Sequence, residues 1–187
     1  MTPGARVAAA IEVLDGWLSG AAAEQFLTRW ARAHRFAGSK DWAAIRDHVY
    51  GAIRRRRSYA ALGGAQTGRG LMIGALRAAG RDPATLFTGE GYAPSALVPG
   101  EAAGRAPNDD GTRLDCPDWL VPVLKGSLGP QFEATMEALR HRAPVFLRAN
   151  LAKTTREAAL EALAGEGIVA RPHPFLASGC KECALSR

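Results

Sequence analysis

The residues best equipped to do chemistry in this chain are cations. Arg54, Arg55, Arg56 and Arg57 run unbroken inside a stretch whose apolar residues recur at helical spacing: Trp42, Ile45, Val49, Ala52, Ile53 and Tyr59. Arg29, Arg32 and Arg35 stand three apart just upstream, and Lys40 comes after them. Guanidinium and ammonium groups at this density hold polyanions, because each can face a phosphate. Between Glu24 and Ala61, nine basic residues oppose three acids, so this window carries +6, which is the net charge of the whole 187-residue chain. An excess confined to one window points to a nucleic-acid partner better than a uniformly high pI does; the alternative is a face that is merely solvated.

Other reactive groups are sparse. Three cysteines, an odd number, argue against a disulfide framework. Cys180-x-x-Cys183 offers two metal ligands and His173 is the nearest third, which falls short of a zinc set. Cys116 beside an expected helix start could have a lowered pKa, yet a small buried residue is the simpler reading. Gly68-Arg-Gly70 opens a helix but is preceded by no strand, so it is not a dinucleotide loop. Trp17, Trp30, Trp42 and Trp119 fall at core spacings and read as anchors rather than base-stacking platforms. His34 and His48 carry no assigned role, and no carboxylate pair or Ser/His/Asp set emerges.

The elements that must position these groups are mostly helices. Hydrophobic residues make up 47% of the chain but aromatics only 7%, which suits closely packed, alanine-rich helices. No run of 18 apolar residues and no signal-peptide pattern occur, so a cytoplasmic protein without membrane association is expected. Periodicity predicts helices over 5–19 and 21–35, a long central helix over 38–63, and a fourth from Thr67 to Gly80. On a helical wheel of the central helix, Arg56 falls within the apolar stripe while Arg54, Arg55 and Arg57 point outward. Arg56 is then expected to meet a buried acceptor such as Asp15. A Gly/Pro/Asn/Asp-rich stretch comes next, with a linker at 104–112. Beyond it come helices opening at Pro117 and at Gly129-Pro130, a strand over 145–150, a helix capped by Thr154-x-x-Glu157, and a strand over 168–171. This βαβ-like unit lacks partner strands, so residues 173–187 are expected to make few core contacts.

Residues GSKDWAAIRDHVYGAIRRRRSYAALGG, together with the downstream TGRGLMIGALRAAG, resemble the NusB-like RNA-binding module of the RsmB/Sun/Fmu family of bacterial rRNA cytosine-C5 methyltransferases. PDWL at 117–120 and RAPVFLRANLAKTTREAALEAL at 142–163 are similar to the segment that precedes that family's catalytic core. The resemblance implies a mainly α chain, with a NusB-like helical bundle over 1–106 and an incomplete α+β, βαβ-like segment over 113–187. It also implies an RNA-binding N-terminal region of an S-adenosylmethionine-dependent enzyme, positioning structured rRNA by phosphate contacts. Arg29, Arg32, Arg35, Lys40, Arg54, Arg55 and Arg57 would supply those contacts, with Arg148 and Lys153 adding to them from the second half.

The family's cofactor loop and its Pro-Cys and Thr-Cys cysteines have no counterpart: Cys116 precedes its proline, and Cys180 and Cys183 sit in Gly-Cys-Lys-Glu-Cys-Ala. No cofactor in this chain and no methylation by it alone are therefore expected, with the missing catalytic domain a partner if it is encoded elsewhere; a monomer is expected. Residues 176–187 do not resemble the family's continuation. Two rivals remain in view. A stand-alone NusB-like antitermination-type adaptor would end with the bundle, and a helix-turn-helix DNA reader would want a short turn and a polar recognition helix.

Overall fold

The computed structural model describes residues 1–101 and 104–182. The chain is mainly α with a short α+β segment at its end, as expected, and it forms two compact units, Met1–His141 and the residues from Arg142 on.

The first unit opens with α1 (Pro3–Leu18), where Thr2 caps by accepting from the Ala5 N–H at 3.2 Å and Pro3 takes the first helical position. Next come α2 (Ala23–Ala33), α3 (Ser39–Arg54), α4 (Arg56–Gly63) and α5 (Gly68–Ala78). Val7, Val13, Leu14, Leu27, Ile45, Val49, Leu71, Met72 and Ile73 are fully buried at their centre. Within 104–112, expected to be linker, Asp109 caps α6 (Asp110–Arg113). With α7 (Val121–Leu128) and α8 (Phe132–Leu139), α6 encloses a smaller core of Leu114, Cys116, Phe132 and Met136. Trp119 is 74% exposed and is no core anchor. The helix starts at Val121 instead of Pro117, leaving Trp119 on the turn before it.

The expected central helix is two helices. Arg55 (φ −119°, ψ 34°) leaves helical geometry between α3 and α4 and shifts the phase of α4 relative to α3. Ser58, Tyr59 and Gly63 now form the buried face of α4, and Arg56, expected inside, is exposed. The close approach of α4 to α5 makes this phase the favourable one. A Cβ on Gly63 would overlap the Gly70 carbonyl, and one on Gly74 would overlap the Tyr59 carbonyl. A Cβ on Gly68 would overlap the Ile11 carbonyl of α1. The glycines at the start of α5 therefore serve helix packing.

The second unit contains β1 (Phe146–Arg148), α9 (Arg156–Gly165), β2 (Ala170–Pro172) and β3 (Gly179–Glu182), with strand order β1-β3-β2. β3 is antiparallel to both neighbours, so β1 and β2 run parallel with α9 as their crossover and β3 inserted between them. The expectation for residues 173–187 fails as far as Glu182: 179–182 is the central strand, and Cys180 is buried. The physical reason is the slot itself. Two parallel strands held apart by a crossover expose backbone donors and acceptors on facing edges, and an intervening strand satisfies both. Residues 183–187, including Cys183, lie outside the described residues.

Candidate nucleic-acid interface

The candidate cations separate into two groups. Arg29 and Arg32 lie on the outer face of α2, Arg35 just past its end, and Lys40 in the first turn of α3. All four are exposed, and none forms an ion pair among the described residues. The α2 register explains their position, because Leu27 and Trp30 take the buried stripe and leave Arg29 and Arg32 on the solvent side. Arg29 is braced by the Phe26 ring, 5.1 Å from its guanidinium carbon. Arg29 and Arg32 line a shallow depression of about 410 Å³ with Glu24, Gln25 and Thr28.

The arginines around the helix break are engaged within the protein. Arg57 donates to Asp118 Oδ1 at 2.6 Å and to the Cys116 carbonyl. Arg55 lies 3.8 Å from Glu137 and 3.3 Å from His141 Nδ1. Arg54 is half-buried, and its Nε has no hydrogen-bond partner among the described residues. Arg56 is the outward member: its guanidinium sits 5.9 Å from the Trp17 ring centroid. Asp15, the acceptor expected for it, instead accepts from the Gly68 N–H at 2.6 Å and holds the start of α5. Of the outward set expected from the wheel, Arg55 and Arg57 are thus engaged and Arg56 is the exposed one, because the break at Arg55 shifts the phase of the residues after it, while Arg54, still on α3, is half-buried.

Carboxylates fix the surroundings of this surface. Asp41 accepts from Arg6 Nε at 2.8 Å, from the amino terminus at 3.2 Å and from the Gly38 N–H at 3.3 Å, tying the start of α3 to α1. The Arg6 bond, the largest influence, holds the Asp41 carboxyl below its ordinary pKa. Cys116 is fully buried, and burial pushes its thiol pKa up, the reverse of what an activated nucleophile needs. Among the described residues, no three His, Cys, Asp or Glu side chains are grouped to hold a metal ion.

In the second unit, Arg148 on β1 and Lys153 in the loop after it are both exposed. The sequence pattern did not single out Arg171 and Lys181, which the strand register places directly opposite each other. Arg171 lies in the expected second strand and its alternation could have been read. Lys181 required recognising 179–182 as a strand, and Gly-Cys-Lys-Glu carries no alternating apolar signal.

Comparison with known proteins bears on the second part of the chain. Residues 116–181 match the family model described as the Methyltr_RsmF/B-like, ferredoxin-like domain. This span takes in α7, α8, β1, α9 and β2 and reaches into β3, so the resemblance extends into the 176–187 stretch where none was expected. The chain is also 40% identical over 57 residues to ribosomal RNA small subunit methyltransferase B of Pectobacterium carotovorum subsp. carotovorum (strain PC1), an alignment that covers 30% of this chain and 13% of that protein. The family match begins at Cys116, shortly after the expected linker, whereas compactness divides the chain at His141. With the split βαβ topology, these matches show that residues 116–181 are similar to the ferredoxin-like domain of RsmF/B-like methyltransferases, and that the chain spans only a small part of the length of the curated relative it matches.

Proposed function

We propose that this chain is the RNA-recognition region of an S-adenosylmethionine-dependent rRNA cytosine-C5 methyltransferase, holding structured rRNA through phosphate contacts. The observation that carries this reading is the group of exposed cations on α2 and the start of α3. Arg29, Arg32, Arg35 and Lys40 make no ion pair among the described residues, so they meet a phosphate without first breaking an internal bond. Arg55 and Arg57 would have to leave Glu137 and Asp118, and they serve the fold better than the ligand. Arg148 and Lys153 extend the proposed contacts into the second unit.

No S-adenosylmethionine site is assigned in this reading. None of the described strands runs into a glycine-rich loop that opens a helix, and Gly68 and Gly70 are packed against backbone. Methyl transfer is accordingly assigned to no residue here.

The test is titration of an rRNA stem-loop at several salt concentrations. Arg29→Ala and Arg32→Ala are each expected to weaken binding similarly across RNA sequences and to lower the salt slope by about one. Unchanged affinity and slope in both variants would reduce the basic window to a solvated face.

A further inference from the structure

The second unit carries a surface that the phosphate-contact reading does not use. In the sheet, Phe146 pairs with Lys181 and Lys181 with Arg171, so these three side chains share one face. Arg148 and Gly179, a further pair two residues along, lie on the same face. Leu147, Cys180 and Pro172 occupy the other face, where Cys180 is buried and α9 packs across β2 and β3. The face away from α9 therefore presents three cations around an aromatic ring and, among the described residues of its strands, no acidic one.

The details suit a ligand with both charge and π surface. Phe146 is 54% exposed, with Lys181 Nζ 5.7 Å from its centroid and the His173 ring edge-on at 5.3 Å. Phe175 continues the aromatic row, 6.0 Å from His173 and 93% exposed. Arg148, Arg171 and Lys181 form no ion pair among the described residues. An apolar partner alone would leave three cations facing a dry contact, which is costly. An unpaired nucleotide strand places phosphates on the cations and bases on the ring, as in sheet-based readers of single strands.

We propose that this sheet face is a docking surface for single-stranded RNA, with Phe146 stacking an unpaired base and Arg148, Arg171 and Lys181 tracking the backbone. The proposal rests on the RNA-recognition reading and adds the class of RNA element: a loop or single strand at the sheet, distinct from the stem phosphates assigned to α2.

The experiment uses the full chain with two probes, a blunt duplex RNA and a single-stranded oligoribonucleotide of equal length, each titrated at several salt concentrations. Phe146→Ala is expected to weaken single-strand binding about tenfold, to leave its salt slope unchanged and to leave duplex binding intact. Phe146→Trp, which restores a π face, is expected to recover the affinity. The Arg171→Ala/Lys181→Ala variant is expected to lower the single-strand slope by between one and two. With a photoreactive base in the oligonucleotide, cross-links are expected on the peptide spanning residues 143–148. Single-strand affinity unchanged in Phe146→Ala while wild-type RNA binding persists overturns this proposal alone and leaves the face to a protein partner. Equal weakening of duplex and single strand also overturns it. Failure of the wild-type chain to bind either probe overturns both this proposal and the reading beneath it.

Discussion

At the residue scale, four adjacent arginines have four different surroundings, and a helical wheel cannot tell them apart once the helix breaks. The anchor of this region is Asp115, a residue with positive φ (55°) that the sequence did not mark. Its carboxylate accepts from the Ser58 N–H at 2.9 Å and from Ser58 Oγ at 2.8 Å, and lies 2.9 Å from Arg140 Nε. The Asp115 side chain is 4% exposed and that of Arg140 15%. Asp115→Ala leaves the Ser58 N–H and hydroxyl without their acceptor and Arg140 with Glu137 as its remaining carboxylate, so it is expected to cost about 2–3 kcal/mol in urea melts. Arg56→Ala removes an exposed side chain and should stay within about 0.5 kcal/mol. The reverse ranking would restore the wheel's assignment of Arg56 to the interior.

A second residue-scale consequence is a pH dependence. Glu101 accepts from Arg69 Nε at 2.6 Å and Nη2 at 2.8 Å, and from the Val98 N–H at 3.0 Å. The Arg69 bonds are the main cause of a carboxyl pKa lowered to about 2. A depressed folded-state pKa contributes stability that is fully present above the ordinary carboxylate value and is lost as the pH falls through the folded value. The contribution should therefore fade between about pH 4.5 and 2. Glu101→Gln is expected to flatten the acid limb of a stability–pH curve over that interval while lowering stability at neutral pH by on the order of 1 kcal/mol, a figure reduced for partial solvent screening.

At the element scale, the helices were legible because their apolar residues recur with the helical period and their caps are chemically explicit. Thr67 starts α5 at the expected place, while α1 opens two residues earlier than expected, at the Thr2-Pro3 cap. The break at Arg55 was illegible because it arises from packing between α4 and α5, which no periodicity within α3 and α4 reports. β3 was missed for a related reason: its identity comes from the slot between β1 and β2, not from its own residues. The glycines make the packing argument testable. Gly74 faces the Tyr59 backbone and Gly51 faces open space within α3. Gly74→Ala should destabilise by about 2–3 kcal/mol, since main chain on both sides must shift. Gly51→Ala should be neutral or stabilising by up to about 1 kcal/mol, because alanine restrains the unfolded chain at a helical position. Similar melting midpoints for the two variants would mean that α4 and α5 do not approach as closely as the structure has them.

At the scale of the whole molecule, the charge that makes the window basic is not the charge available to a ligand. Counting residues between Glu24 and Ala61 treats all nine cations alike, yet Arg55 and Arg57 meet Glu137 and Asp118, acids far downstream in the sequence. The candidate site was therefore legible as a region and illegible as a residue set, since neutralising partners 61 and 82 positions away leave no local trace. This division sets opposite expectations for two double variants. Arg29→Ala/Arg32→Ala should leave the urea midpoint nearly unchanged and lower the salt slope for stem RNA by about two, because both groups face solvent. Arg55→Ala/Arg57→Ala should lower the slope by less than one and reduce stability by roughly 1–2 kcal/mol, because partly exposed ion pairs and a carbonyl bond are lost. Both properties must be measured on the same preparations, because a partly unfolded variant loses affinity without having lost a phosphate contact. If the second pair lowers the slope as much as the first at full foldedness, the internal ion pairs yield to RNA and the interface extends from α2 to the helix break.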